Sequence, residues 1–155
     1  MQVSLATRSH PRPNLDDRPK FKVAIIYEDG PAGKRAKYFY HKMIRELVHE
    51  CDFSLQLWNF QVLAISEIGN SAAQAAAQAD FVILSMRGKA ELATGTRNWI
   101  ERWSRLIGDY APALVVLLDH TETSGGKMTS TLRYLRNITD RKGISLYPHN
   151  NCLAV

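Results

Sequence analysis

The chain has 155 residues, of which 45% are hydrophobic, and a formal net charge of +5 at pH 7. A length in this range is typical of one domain that buries its own core, and two cysteines are too few for a secreted scaffold held by disulfides. No apolar run approaches the ~20 residues that cross a bilayer, and the N-terminal residues show no apolar signal core, so a cytoplasmic protein without membrane segments is expected.

Residues 1–20 are predicted to form an irregular N-terminal arm, which leaves residues 21–155 as the domain. The arm contains Pro11, Pro13 and Pro19 and has neither helical nor strand periodicity. It is weakly basic, but the domain shows no basic stripe interleaved with aromatic residues in the sequence. Nucleic-acid binding is therefore not expected.

The first half of the domain alternates between strand and helix patterns. A β-branched run over 22–28 predicts a strand, and apolar residues at steps of three and four over 33–51 predict an amphipathic helix. Residues 54–60 alternate like an edge strand. An alanine-rich helix is then expected over 66–79, where small side chains permit close packing on a sheet.

The second half repeats the alternation. Residues 81–85 and 113–118 are apolar throughout, as in strands buried on both faces. Trp99, Trp103 and Ile107 mark a third helix between them, and Met128 to Ile138 mark a fourth after a Ser-Gly-Gly break. A fifth strand is predicted over 144–147, ending before Pro148.

Strands separated by helices of this length predict an α/β domain with a doubly wound parallel sheet. The first, third and fourth strands, which are apolar on both faces, fit the centre of a five-stranded sheet of order 2-1-3-4-5, the flavodoxin-like order, and the two alternating strands fit its edges.

The expected topology lacks one element. A fifth helix after the last strand usually lies beside the first helix, but only eight residues follow Tyr147. Apolar side chains on one face of the third, fourth and fifth strands are then predicted to be bare, and a second subunit in a homo-oligomer, or the arm, is expected to cover them.

The loop after the first strand, 28–35, is a candidate anion site. Its two glycines, a helix N-terminus and two cations fit a phosphate, because backbone N–H groups and the helix dipole point outward there. The predicted seat consists of Gly30, Gly33, Lys34 and Arg35. The alternative is that the glycines only turn the chain and the cations are solvated.

The stretch from Ala79 to Gly88, followed by Glu91-Leu92 and by Asn98 to Trp103, resembles flavodoxins and NADPH-dependent FMN reductases. That resemblance implies an FMN cofactor with a redox role, its phosphate at the first loop. It also implies that the flavin ring lies near residues of the third and fourth loops: Ser85, Arg87, Gly88, Lys89, Ser124, Gly125 and Gly126. The first loop departs from the family, since it has no Ser or Thr and places Glu28 and Asp29 beside the phosphate.

Two other functions fit the same sheet. In a receiver-type signalling domain, Glu28 and Asp29 would bind Mg²⁺, but no aspartate stands at 85–87 and no lysine follows the fifth strand. This leaves a degenerate, non-catalytic interaction module as the main alternative to a flavoprotein. A hydrolytic or metal site is the weaker possibility, built from carboxyl-end acids and histidines: Asp29, Asp119, His120 and His149.

Overall fold

The computed structural model describes residues 19–45, 51–87, 92–118 and 130–150. Strands and helices alternate along these residues in the order β1 (Lys20–Tyr27), α1 (Gly30–Ile44), β2 (Asp52–Asn59), α2 (Ser66–Ala77), β3 (Phe81–Met86), α3 (Thr94–Leu106), β4 (Ala113–Leu118), α4 (Ser130–Lys142) and β5 (Ser145–Asn150). A short 3₁₀ helix, Phe60–Ala64, connects β2 to α2. None of the described helices is long and apolar enough to cross a membrane.

The predicted sheet is confirmed. All neighbouring strands are parallel, and their order is β2-β1-β3-β4-β5. The central strands β1, β3 and β4 each contain an uninterrupted run of four or five buried residues. The predicted α/β architecture and the assignment of the alternating strands to the edges are therefore correct.

Helices α2, α3 and α4 cover one face of the sheet. Ala24 and Ile26 of β1 point to this face and share a core cluster with residues of these three helices, among them Trp99 and Trp103. The two indole rings are stacked with their centroids 6.3 Å apart. The Trp99 indole N–H donates to the carbonyl of Gly69 at 2.9 Å, which ties α3 to α2.

Helix α1 packs on the other face of the sheet. Cover of that face by the arm or by a second subunit stays a prediction, because residues 1–18 lie outside the described residues. Val115 and Leu117 of β4 point to this face and are only 3% and 1% exposed. They share a cluster with Tyr40, and Phe39 packs against it. The Phe39 ring also lies 5.2 Å from the ring of His149, so α1 reaches the edge strand β5.

Several predicted boundaries differ from the structure. The first helix begins at Gly30 instead of Gly33, and Cys51 lies outside any helix, directly before β2. The fifth strand runs through Pro148 to Asn150. An edge strand tolerates proline because one side of it makes no ladder hydrogen bonds.

Asp80, in the segment that resembles the flavodoxins, joins three strands at their amino ends. Its carboxylate accepts from the backbone N–H of Lys22 and from the Tyr110 hydroxyl, both at 2.9 Å. Its own backbone N–H donates to the Lys22 carbonyl, and its carbonyl accepts from Ala113. The residue lies at the edge opposite the predicted ligand crevice, so its role in this chain is structural.

We expect Gly69→Ala to lower the free energy of unfolding by about 1–3 kcal/mol, the usual cost of overpacking. A Cβ at Gly69 would clash with the backbone carbonyl oxygen of Leu63, which has no freedom to move aside. Urea unfolding measures the change. Gly95→Ala in α3 is the matched control, because a Cβ there meets nothing within 4 Å. The control is expected to be neutral or slightly stabilising, and equal losses in the two variants would contradict the packing argument.

Candidate functional site

The candidate site lies at the carboxyl ends of β1 and β3. The strand order reverses between these neighbours, and open α/β sheets bind their ligands at such a point. Glu28 and Asp29 follow β1, and Arg87 follows β3. The structure therefore brings together residues that are almost 60 positions apart in the chain.

Arg87 connects the two loops through both its side chain and its backbone. The guanidinium donates to one Asp29 carboxylate oxygen from Nε at 3.2 Å and from a terminal nitrogen at 3.1 Å. The Arg87 backbone N–H donates to Glu28 Oε1 at 2.8 Å. We call the arrangement of Glu28, Asp29 and Arg87 the carboxylate clamp.

Asp29 also caps α1. Its second carboxylate oxygen accepts from the backbone N–H of Ala32 at 3.0 Å, and Pro31 has no N–H to offer. The hydrogen bond from Ala32 is the main reason why the pKa of Asp29 is lowered from its ordinary value of 3.8, with partial burial acting in the opposite direction. The neighbouring charges of Arg87 and Arg35 lower that pKa further. A carboxylate of the chain itself thus occupies the positive end of the helix dipole.

Ser85 and Gly33 stabilise the loop after β1 through contacts on its buried side. The Ser85 hydroxyl is fully buried and donates to the carbonyl of Ala32 at 2.8 Å. A Cβ at Gly33 would lie 3.0 Å from the Tyr27 ring, so a glycine there lets helix and strand pack closely. Both residues were predicted to face a ligand, and in the structure both are engaged in packing.

The remaining predicted site residues divide into two groups. Gly30 and Lys34 are exposed at the start of α1, and Arg35 is half-buried. The others lie outside the described residues: Gly88, Lys89, Ser124, Gly125 and Gly126.

A small crevice between α3 and α4 opens at the same edge of the sheet, and the sequence analysis missed it. It has a volume of about 130 Å³ and is lined by Leu92, Arg97, Ser130, Thr131 and Tyr134. This is below the roughly 300 Å³ at which ligand pockets usually begin. No sequence signal pairs Arg97 with Tyr134, because their meeting depends on how two helices lie side by side.

The polar groups of this crevice bind one another. The Tyr134 hydroxyl donates to Glu101 Oε2 at 2.9 Å, and the Arg97 guanidinium lies 5.1 Å from the Tyr134 ring centroid. Burial, with the Glu101 hydrogen bond and charge second, raises the pKa of Tyr134 to about 12. The phenol is therefore neutral at physiological pH and is unsuited to act as a base there.

The acids and histidines predicted as a hydrolytic or metal site are not shown to converge. His149 packs against the Phe39 ring on the α1 face of the sheet. Asp119 and His120 lie outside the described residues. Within the described ranges, no three His, Cys, Asp or Glu residues are grouped so that they could hold a metal ion.

Comparison with known proteins supports the fold and gives no function. No family model and no curated protein matches the chain. Smu.1420 from Streptococcus mutans UA159 is structurally similar, with 12% sequence identity, a TM-score of 0.51 and coverage of 87% of this chain and 90% of that one. Translation elongation factor SelB from Methanococcus maripaludis shares 12% identity over 86% of this chain and 30% of its own, with a TM-score of 0.41 that carries no argument. At 12% identity the first likeness shows a shared fold alone.

Asp29→Ala is expected to lower the free energy of unfolding at pH 7 by about 1 kcal/mol, the usual value of a helix N-cap. Because folding lowers the pKa of Asp29 below 3.8, its charged form stabilises the fold above that pH. The stabilisation is lost as the pH falls through the folded-state pKa. Urea unfolding at a series of pH values should therefore show the difference between wild type and variant shrinking in acid.

Asp29→Asn is the matched control for this experiment. An amide oxygen can still cap Ala32 N–H, so Asn should retain most of the stability at pH 7, yet it has no carboxylate to titrate. A gap between wild type and Asp29→Ala that stays constant down to the acid limit would contradict the assigned role of the Asp29 charge.

Proposed function

We propose that this domain is a non-catalytic interaction module with the flavodoxin-like fold. The observation that carries the proposal is the carboxylate clamp, in which Asp29 fills the N-terminus of α1 where a phosphate would have to bind. The Ala32 N–H and the Arg87 guanidinium, which are suited to an anion, bind a carboxylate of the chain itself. Such bonds stabilise the fold and do not by themselves provide a catalytic group.

The competing hypothesis of an FMN phosphate at this loop meets an electrostatic cost. Two unit charges of like sign 4 Å apart repel by about 4 kcal/mol at an effective dielectric constant of 20. A phosphate at the loop would lie beside both Glu28 and Asp29. It would also have to displace Asp29 from Ala32 N–H and from Arg87, whose bonds to the carboxylate are already made.

The clamp also argues against receiver-like chemistry. Mg²⁺ needs carboxylate oxygens that can turn toward it, whereas Glu28 accepts from the Arg87 backbone and Asp29 from its guanidinium. A guanidinium 3.1 Å from the acid repels a second cation at the same place. These contacts favour an interaction module over a phosphoacceptor domain.

The proposal is tested by titrating FMN into the purified protein and following flavin fluorescence. The protein is expected to show no visible flavin absorption and no saturable quenching. Saturable one-to-one binding of FMN to the wild type would overturn the proposal.

A charge-removal variant tests the stated reason. Glu28→Gln with Asp29→Asn should bind inorganic phosphate more tightly than wild type, since two like charges are gone while the polar atoms remain. Glu67→Gln with Asp140→Asn makes the same change in net charge at two exposed helical acids away from the clamp. If both doubles gain phosphate affinity equally, the clamp does not exclude the anion.

Self-association of this module stays a separate prediction. Tyr147 of β5 lies on the α1 face of the sheet and is 53% exposed, so it is the described residue at which we test self-association. Light scattering should show a mass that rises with concentration in wild type and not in Tyr147→Lys. A wild type that remains monomeric over the accessible concentration range would remove this prediction and leave the proposed function intact.

A further inference from the structure

The outward side of α1 carries four cations and one histidine around one tyrosine. Residues on successive turns of a helix share a face when they are three or four positions apart. Six exposed residues follow that spacing, and we call them the α1 basic face: Lys34, Lys37, Tyr38, His41, Lys42 and Arg45. From the first to the last they extend over about 16 Å at 1.5 Å per residue.

No acidic residue balances these cations within 30–45. Glu46, the next residue, lies outside the described ranges. Helix α4 differs, because Asp140 stands among its exposed arginines and its one tyrosine, Tyr134, is bound to Glu101. The basic face of α1 is therefore not simply what every helix of this basic protein presents.

Tyr38 lies in the middle of the row and is 58% exposed. The Lys42 ammonium is 5.8 Å from the centroid of its ring. An exposed aromatic ring flanked by cations is suited to bases that stack on it while their phosphates meet the cations.

A protein partner fits this face less well. The buried centres of protein interfaces are depleted in charged residues, and lysine is rare there. Around Tyr38 the neighbouring exposed side chains are cations or imidazole, so the face offers no apolar centre. Since α1 is the one described helix on its side of the sheet, a nucleic-acid strand can lie along it without contacting the other described helices.

We infer that the α1 basic face binds single-stranded nucleic acid, with its lysines and Arg45 on the phosphates and Tyr38 stacked against a base. The inference deepens the proposed function by giving the interaction module a partner class, and it rests on that proposal. Nucleic-acid binding was not expected from the sequence, in which no basic stripe interleaved with aromatic residues was found. The basic stripe becomes visible only when burial separates the two sides of α1.

The test is fluorescence anisotropy of a labelled oligothymidylate titrated with the full chain at several salt concentrations. Wild type is expected to bind at low salt and to weaken as salt rises. Lys34→Gln, Lys37→Gln and Lys42→Gln combined should weaken binding at least tenfold. The same triple variant should reduce the log–log salt slope by about 2, since each lost phosphate contact on a single strand accounts for about 0.7.

The matched control combines Arg133→Gln, Arg136→Gln and Lys142→Gln on α4, three exposed residues on the opposite side of the sheet. It removes the same charge and is expected to weaken binding much less than the α1 triple. Tyr38→Ala should weaken binding about fivefold or more through lost stacking, and Tyr38→Phe should restore it. Circular dichroism and urea unfolding establish that each variant is folded.

Three outcomes would overturn the inference. These are no saturable binding by wild type at low salt, equal losses in the α1 and α4 triples, or poly-glutamate binding as tightly as the oligonucleotide, which would indicate an acidic polypeptide as the partner. The FMN titration separates this failure from that of the proposed function. Absence of both ligands removes only the nucleic-acid inference, whereas FMN binding removes the proposed function itself.

Discussion

The structure depends on covering both faces of three central strands. Every residue of Val23–Ile26, Val82–Met86 and Leu114–Leu118 is buried, and successive residues of a strand point to opposite faces. Two apolar faces have to be shielded from water, at a gain of about 25 cal/mol for each Å² removed. Helices α2, α3 and α4 pack on one face, while α1 packs on the other, where its Phe39 ring lies close to His149 of β5.

The position of α1 also shapes the chemistry at the carboxyl edge. A helix that starts directly after β1 brings its N-terminus to the point where β3 ends, and such an end attracts an anion. In this chain the anion is internal. Asp29 caps the helix and binds Arg87, while Ser85 fixes the carbonyl of Ala32 beneath it. The loop is thereby specified by bonds within the domain, and two groups suited to a phosphate, the Ala32 N–H and the Arg87 guanidinium, already bind Asp29.

Much of the fold could be predicted because burial on both faces leaves continuous apolar runs that identify the central strands. The boundaries of the helices and strands were harder to predict. Asp29-Gly30-Pro31 is a capping sequence that places the helix start at Gly30, and Pro148 reads as a strand end unless the strand is known to be an edge. The carboxylate clamp was harder still to predict from the sequence, because its acids and Arg87 are far apart in the chain and only the β1–β3 pairing brings them together.

The packing of α1 on its face of the sheet affects how the domain unfolds locally. Local unfolding proceeds in cooperative units, and the amides of such a unit exchange with solvent together. Val23, Ile25, Ile83, Val115 and Leu117 share one cluster with Tyr40 of α1, so release of α1 would remove contacts from the whole cluster in one event. The larger the free energy that this release costs, the more slowly the amides of α1 should exchange. A molecule bound to the outer side of α1 would slow this exchange further. Helix α1 therefore couples binding at the surface of the domain to the stability of its core.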